Sequence, residues 1–196
     1  DMGSSITGLT LHACRRLCEY LAVDTELSVI VKPLQIVEIP EPVLETLGIE
    51  TRYVRPDFGS DNSLEANYVD DWGITRKLSS NQYHYDIIDF PLKAGTIQKL
   101  DEFSWPHTSR EGFFTGLSAC AEQLHENTSY ALVADPLLPA LFEPAWYLRG
   151  MQNFLVDLLE NRRYVEKLLD ILLALQKRFF DGFLKEVGAF VQVVML

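Results

Sequence analysis

The stretch Ser129-Tyr130-Ala131-Leu132-Val133-Ala134 runs straight into Asp135-Pro136, and the residues after it read as helix, helix and strand. A short apolar run closed by proline is a buried strand, because proline supplies no ladder donor and the residue before it avoids helical geometry. Leu137 to Phe142 leads from it into a helix over Glu143 to Leu159, with Met151, Phe154, Leu155, Leu158 and Leu159 on one face. Asn161 caps a second helix, Tyr164 to Val187, which turns Val165, Leu168, Leu172, Leu175, Phe179, Phe183 and Val187 inward before Gly188 ends it. A last strand begins at Phe190. Strands alternating with helices after Leu100 predict parallel βα units, whose sites lie where strands hand over to loops.

The first half is more broken. The small-residue turn Gly3-Ser4-Ser5-Ile6-Thr7-Gly8 opens a helix over Leu9 to Ala22 with Leu9, Ala13, Leu17 and Leu21 on one stripe. Ser28 to Ile39 is rich in β-branched residues but interrupted by Pro33, which predicts irregular extended structure. Glu41 to Leu47 is a short helix with proline in its first turn and Gly48 as its stop, and Glu50 to Val54 is a strand. Asp57 to Ala66 is a surface loop, succeeded by strand-like runs over Asn67 to Leu78 and Gln82 to Ile88 joined through Ser79-Ser80-Asn81. Thr96 to Phe103 and Arg110 to His125 are helices, the second carrying Phe113, Phe114, Leu117, Cys120, Ala121 and Leu124 at helical spacing.

With 47% hydrophobic and 23% charged residues, the 196-residue chain can bury enough apolar surface to order itself. Its 17 basic and 28 acidic residues give a net charge of -11, which repels phosphate backbones and acidic lipid surfaces and so excludes nucleic acid and membrane as partners. No apolar run reaches the roughly 18 residues of a membrane span. Three cysteines, Cys14, Cys18 and Cys120, are too few for a disulfide framework and fit a reducing cytoplasm. The apolar run from Phe190 to Leu196 and the start at Asp1 read as cut ends, so the chain is expected to expose strand edges and to self-associate as a homo-oligomer.

Several residues could carry chemistry. Asp135 stands where parallel-sheet enzymes project catalytic carboxylates, though an Asp-Pro turn accounts for it equally. Asp70, Asp71 and Trp72 place two carboxylates beside an indole, either for acid/base work or simply as a turn. Glu143, Trp146 and Arg149 share the face of a helix start, where the indole offers a stacking surface and the guanidinium an anion partner, or else an ion pair flanks a core tryptophan. Cys14, Cys18 and His12 have soft-ligand chemistry, but His12 lies about 200 degrees around the helix from Cys14, and no metal is assigned to them. His84, His107 and His125 are isolated in sequence.

Glu143-Pro144-Ala145-Trp146-Tyr147-Leu148-Arg149-Gly150-Met151 with Asp157-Leu158, then Tyr164 to Leu173 and Gly188 to Val194, resemble in order the helix, helix and strand of the uroporphyrinogen decarboxylase superfamily. Asp71-Trp72-Gly73-Ile74 is similar to its Asp-x-Trp-Gly segment, and Pro91-Leu92 with Thr96 to Trp105 to its Pro-Leu and Trp-Pro stretch. Asp1 to Tyr20 is similar to the first barrel turn of its cobalamin-dependent methyltransferase branch, the methanol and methylamine type. The resemblance implies an α/β fold, a (β/α)8 barrel of the TIM type of which residues 1–196 form the N-terminal part, since a whole barrel takes about 250 residues.

Decarboxylases of this family carry an Arg-Gln-Ala-Gly-Arg loop where Gly3 to Gly8 stands here, an aspartate near Tyr53 to Pro56 where this chain has none, and a tyrosine where it has Trp146. The resemblance therefore implies methyl transfer between a small-molecule substrate, a corrinoid carrier protein and a thiol or pterin, ahead of porphyrinogen decarboxylation or a non-catalytic tetrapyrrole-binding module. In that branch zinc is held by a His-x-Cys pair and a further cysteine in the later half of the barrel, past the position of Leu196. On the barrel topology Ser4, Ser5 and Thr7 come after the first strand and face one funnel with Asp135. Glu143, Trp146 and Arg149 then line its wall, and Asp71 and Trp72 join them as substrate-binding residues.

Overall fold

The computed structural model describes residues 2–59, 61–106, 112–138 and 140–196 and shows a mixed α/β fold. In chain order it runs α1 (Leu11–Leu21), β1 (Val29–Val31), a 3-10 turn (Lys32–Leu34), β2 (Ile36–Val37), α2 (Glu41–Thr46), β3 (Thr51–Val54), β4 (Asn67–Val69), β5 (Thr75–Leu78) and β6 (Tyr85–Asp89). The second half is α3 (Ile97–Glu102), α4 (Leu117–Asn127), β7 (Ala131–Ala134), α5 (Phe142–Arg149), α6 (Met151–Glu160), α7 (Arg162–Val187) and β8 (Val193–Val194).

Among the described residues the strands form three sheets. β3, β7 and β8 form a parallel sheet in that order, with Thr51 to Val54 paired in register to Ala131 to Ala134, and Val133 and Ala134 paired to Val193 and Val194. β4, β5 and β6 form an antiparallel meander, and β1 pairs antiparallel with β2. Among the described residues the parallel strands make an open three-stranded sheet and no closed ring.

At 26 residues, α7 extends about 39 Å at 1.5 Å per residue and ties two cores together. Near its start Tyr164, Leu168 and Leu172 pack with Phe154, Leu148, Leu92, Leu100 and Ile74; near its end Phe179, Phe183 and Val187 pack with Val54, Ala134, Leu117 and Ala121. All seven inward positions expected from its spacing are buried. A third core gathers Cys14 and Cys18 of α1 with Val29, Val37, Ile39, Val43 and Leu44. At the amino end of β3, Arg52 binds both carboxylate oxygens of Glu41, donates to the carbonyls of Ile49 (2.6 Å) and Thr51 (2.8 Å), and lies 3.7 Å from the Tyr130 ring centre.

Several elements differ from the sequence expectation. The helix expected over Glu143 to Leu159 is two, because Gly150 at φ +88° breaks it and a Cβ there would press on the Phe90 ring at 3.3 Å. On α6 only Phe154 of the expected apolar face is buried; Met151, Leu155, Leu158 and Leu159 are exposed, and Asp157 points inward with Phe154. The run Asn67 to Leu78 is two strands around a turn at Asp70 to Gly73. α4 starts at Leu117 after Gly116 at φ +78°, leaving Phe113 and Phe114 in a preceding turn, while Arg110, with His107, Ser60 and Pro139, lies outside the described residues. Asn161 does not cap α7 with its side chain; its amide donates to the Gly95 carbonyl at 3.2 Å. No helix of the described residues is long and apolar enough to cross a membrane.

Burial divides the thiols. Cys14 and Cys18 are buried and Cys120 is exposed, so the native chain is expected to take up one equivalent of a thiol reagent, at Cys120, and three once unfolded; peptide mass mapping reads this directly. Burial, with Cys18 beside it, pushes the Cys14 thiol from 9.0 up to about 12, and burial pushes the Tyr164 hydroxyl from 10.0 up to about 12. Both groups hold their protons longer folded than unfolded. The stability they contribute is therefore complete below about pH 9 and is lost as pH climbs toward about 12, which a series of urea midpoints over that range should register as a steady fall.

Candidate functional site

Because β3 and β7 are parallel and in register, the residues just past their carboxyl ends stand side by side: Arg55 after β3 and Asp135 after β7. The Asp135 amide continues the ladder, donating to the Val54 carbonyl at 3.0 Å, so the side chain is delivered at the strand end. That carboxylate is fully buried. Oδ2 accepts from the Ser5 amide at 2.8 Å and Arg55 Nε at 3.4 Å, and Oδ1 accepts from the Ser5 hydroxyl at 2.9 Å and the Leu137 amide at 3.2 Å. Four donors fill the roughly four lone-pair sites of a carboxylate, so Asp135 anchors the Ser5 turn and has no capacity left to serve as a free base.

The turn itself is built from hydroxyls. Ser4 Oγ accepts from the amides of Ile6 (3.1 Å) and Thr7 (2.8 Å) and shares a hydrogen with Thr7 Oγ1 at 2.8 Å, the side chain standing in for a backbone turn. Gly8 is required by close approach, since a Cβ there would sit 2.5 Å from the Ser4 carbonyl and 2.7 Å from Ile36. With its proton committed to Asp135, the Ser5 hydroxyl keeps its lone pairs for a ligand's donor, while Thr7 is exposed at the turn's outer side.

Arg55 binds the cluster together. It donates to Asp135, to Glu38 Oε1 at 3.1 Å and to the Gly3 carbonyl, and lies 5.0 Å from the Tyr53 ring centre. Two carboxylates therefore face one guanidinium, a net formal charge of -1. An apolar cleft of about 330 Å³ bounded by Leu138, Leu141, Phe180 and Leu196 draws on the loop after β7 and on the segment just past β8.

The structure thus brings Ser4, Ser5, Thr7 and Asp135 together, and it does not bring the other expected residues to them. Asp71 is exposed in the β4–β5 turn, where its neighbour Asp70 organises the backbone, accepting from the amides of Trp72 and Ile74 at 3.0 Å each and from Arg76 at 2.8 Å. Trp72 and Trp146 pack against the core around Phe154 and Tyr164, and Trp146 meets Tyr147 edge-on at 4.2 Å. Glu143 is exposed in the first turn of α5. Arg149 is no free anion partner: it is buried, bonded to Asp157 at 2.5 Å and to the Lys93 carbonyl at 2.5 Å. Arg55 escaped the sequence reading, although the rule that singled out Asp135, a charged residue directly past a buried strand, applies to it as well.

Comparison with family models, with curated proteins and with solved structures gives no match for this chain.

Proposed function

We propose that this chain is the N-terminal part of a TIM-type barrel enzyme resembling the corrinoid-dependent methyltransferases, and that the Ser4–Thr7 turn binds its small-molecule substrate. One observation carries the reading: a fully buried carboxylate at the carboxyl end of a parallel strand fixes a hydroxyl-bearing turn, at the end of the sheet where such folds keep their sites. Ser5 accepts a hydrogen bond from the substrate and Asp135 orients Ser5. With one guanidinium already neutralised by two carboxylates, the turn favours a neutral or cationic substrate over a polycarboxylate. That counts against a porphyrinogen, which would need free arginines.

A corrinoid, carried by a partner protein, would supply the methyl-accepting cobalt. No residue of this chain is assigned to zinc, whose ligands the resemblance puts past the position of Leu196. The test mixes the full-length gene product with cob(I)alamin and either methanol or methylamines and follows methylcobalamin absorbance. Methylcobalamin should appear, and Ser5→Ala should slow its formation about tenfold or more, as loss of a positioning hydrogen bond does. No methylcobalamin with any substrate, or release of carbon dioxide from uroporphyrinogen instead, would overturn the reading.

A further inference from the structure

A groove of about 630 Å³ runs between α1 and the loops at Val23 to Leu27 and Asn62 to Leu64, and it shares no residue with the Ser5–Asp135 cluster. Its lining is mixed: Leu11, Val23 and Leu27, with the Cys18 thiol, give it an apolar strip, Thr25 and Asn62 add polar groups, and Leu64 forms an exposed lip. Its rim carries Glu19, Asp24 and Glu26 against the single cation Arg15, all exposed, and none of the four makes an ion pair among the described residues. Other surface carboxylates of the chain do find partners, as Asp89 does with Lys93 and Glu102 with Lys99.

The far wall is held in place. Asn62 accepts from the Val29 amide at 2.8 Å and donates to the Leu27 carbonyl at 3.1 Å, which clips the two loops together. Next to it the Lys32 ammonium is enclosed by Asp61, by Ser63 Oγ at 3.2 Å and by Glu65 Oε1 at 3.2 Å, with the Tyr68 ring centre 4.5 Å away. The hydrogen bond from Lys32, backed by Ser63, draws the Asp61 carboxyl down to about 2. A groove whose wall is clipped in this way exists before any ligand arrives.

We propose that this groove is a binding site for an apolar organic cation, a ligand with an ammonium head and an alkyl or aryl body. The apolar strip of Leu11, Val23 and Leu27, with Leu64 at the lip, gives the body its contact. The rim selects the head: three carboxylates against one guanidinium leave -2, and the chain's net charge of -11 attracts cations and repels anions at longer range. The volume lies within the several hundred cubic ångströms usual for small-molecule sites. This site stands independently of the methyltransferase reading.

The test titrates isotope-labelled chain with octyltrimethylammonium and with octyl sulfate and follows amide shifts. The cation should bind about tenfold tighter at low salt, with shifts at residues 15–27 and 62–64, and the preference should shrink at high salt. Glu19→Gln with Glu26→Gln removes two of the rim carboxylates and should weaken the cation about fivefold, leaving the sulfate no weaker. Leu64→Ala, at the half-exposed lip, should weaken both probes. Equal binding of the two probes, an unchanged affinity in the double glutamine variant, or shifts confined to other surfaces would each overturn the proposal.

Discussion

Replacing Asp135 by alanine is expected to cost about 3 to 5 kcal/mol of stability, because it removes the common acceptor of four donors and leaves a mostly buried arginine short of its partner. The amides of Ser5 and Leu137 and the Arg55 guanidinium would lose their acceptor together, with Arg55 left only Glu38 and the Gly3 carbonyl. Asp135→Asn keeps the shape but turns an amide toward those donors, so an intermediate loss of about 1 to 3 kcal/mol is expected. Urea unfolding reads both, and amide exchange at residues 5–7 should quicken in the alanine variant. A loss under about 1 kcal/mol for Asp135→Ala would mean that solvent satisfies these donors and that the turn is not anchored as described.

Arg149→Ala should be comparably damaging, at about 3 to 5 kcal/mol, since it strands Asp157 inside the protein. Arg149 stitches α5 to α6 through Asp157 and to the loop before α3 through the Lys93 carbonyl. The informative control is the paired variant Arg149→Met with Asp157→Leu, which removes both charges and keeps much of the volume; its cost should be far smaller than that of Arg149→Ala. Gly95 adds an independent check, because its φ of +64° suits glycine and a Cβ there would lie 2.5 Å from the guanidinium. If the paired variant unfolds as readily as Arg149→Ala, packing and not the stranded charge is the cause.

What could be read from the chain was what depends on local pattern. The inward face of α7, the short helix stopped by Gly48 and the strand closed by Asp135-Pro136 come from spacing and from backbone preferences of single residues, and the structure has them. The break at Gly150 was not legible, because an isolated glycine in a helical pattern costs only about 1 kcal/mol and the Phe90 ring that exploits it comes from a remote segment. The outward α6 face is illegible for a related reason: periodicity shows that an apolar stripe exists, and which stripe is buried depends on Asp157 reaching Arg149. In the candidate site, topology pointed to Ser4, Ser5, Thr7 and Asp135, whereas spacing along one helix could not reveal that Arg149 is already neutralised eight residues on. Arg55 follows a buried strand by the same local rule as Asp135, but that the two stand side by side comes from the register between β3 and β7, which no local pattern contains.

That register has a kinetic meaning. Ser5 and Asp135 are 130 residues apart in the chain and Arg55 and Asp135 are 80 apart, whereas the β4–β6 meander and the α5–α7 unit join near neighbours. Long loops must close before contacts of the first kind repay their entropy, so local units are expected to form ahead of the parallel sheet. The hydroxyl turn acquires its anchor only when β3 and β7 have met. A partly folded chain can hold native helices and hairpins and still have no site, which makes the Ser5–Asp135 contact a late checkpoint separating a collapsed chain from a competent one.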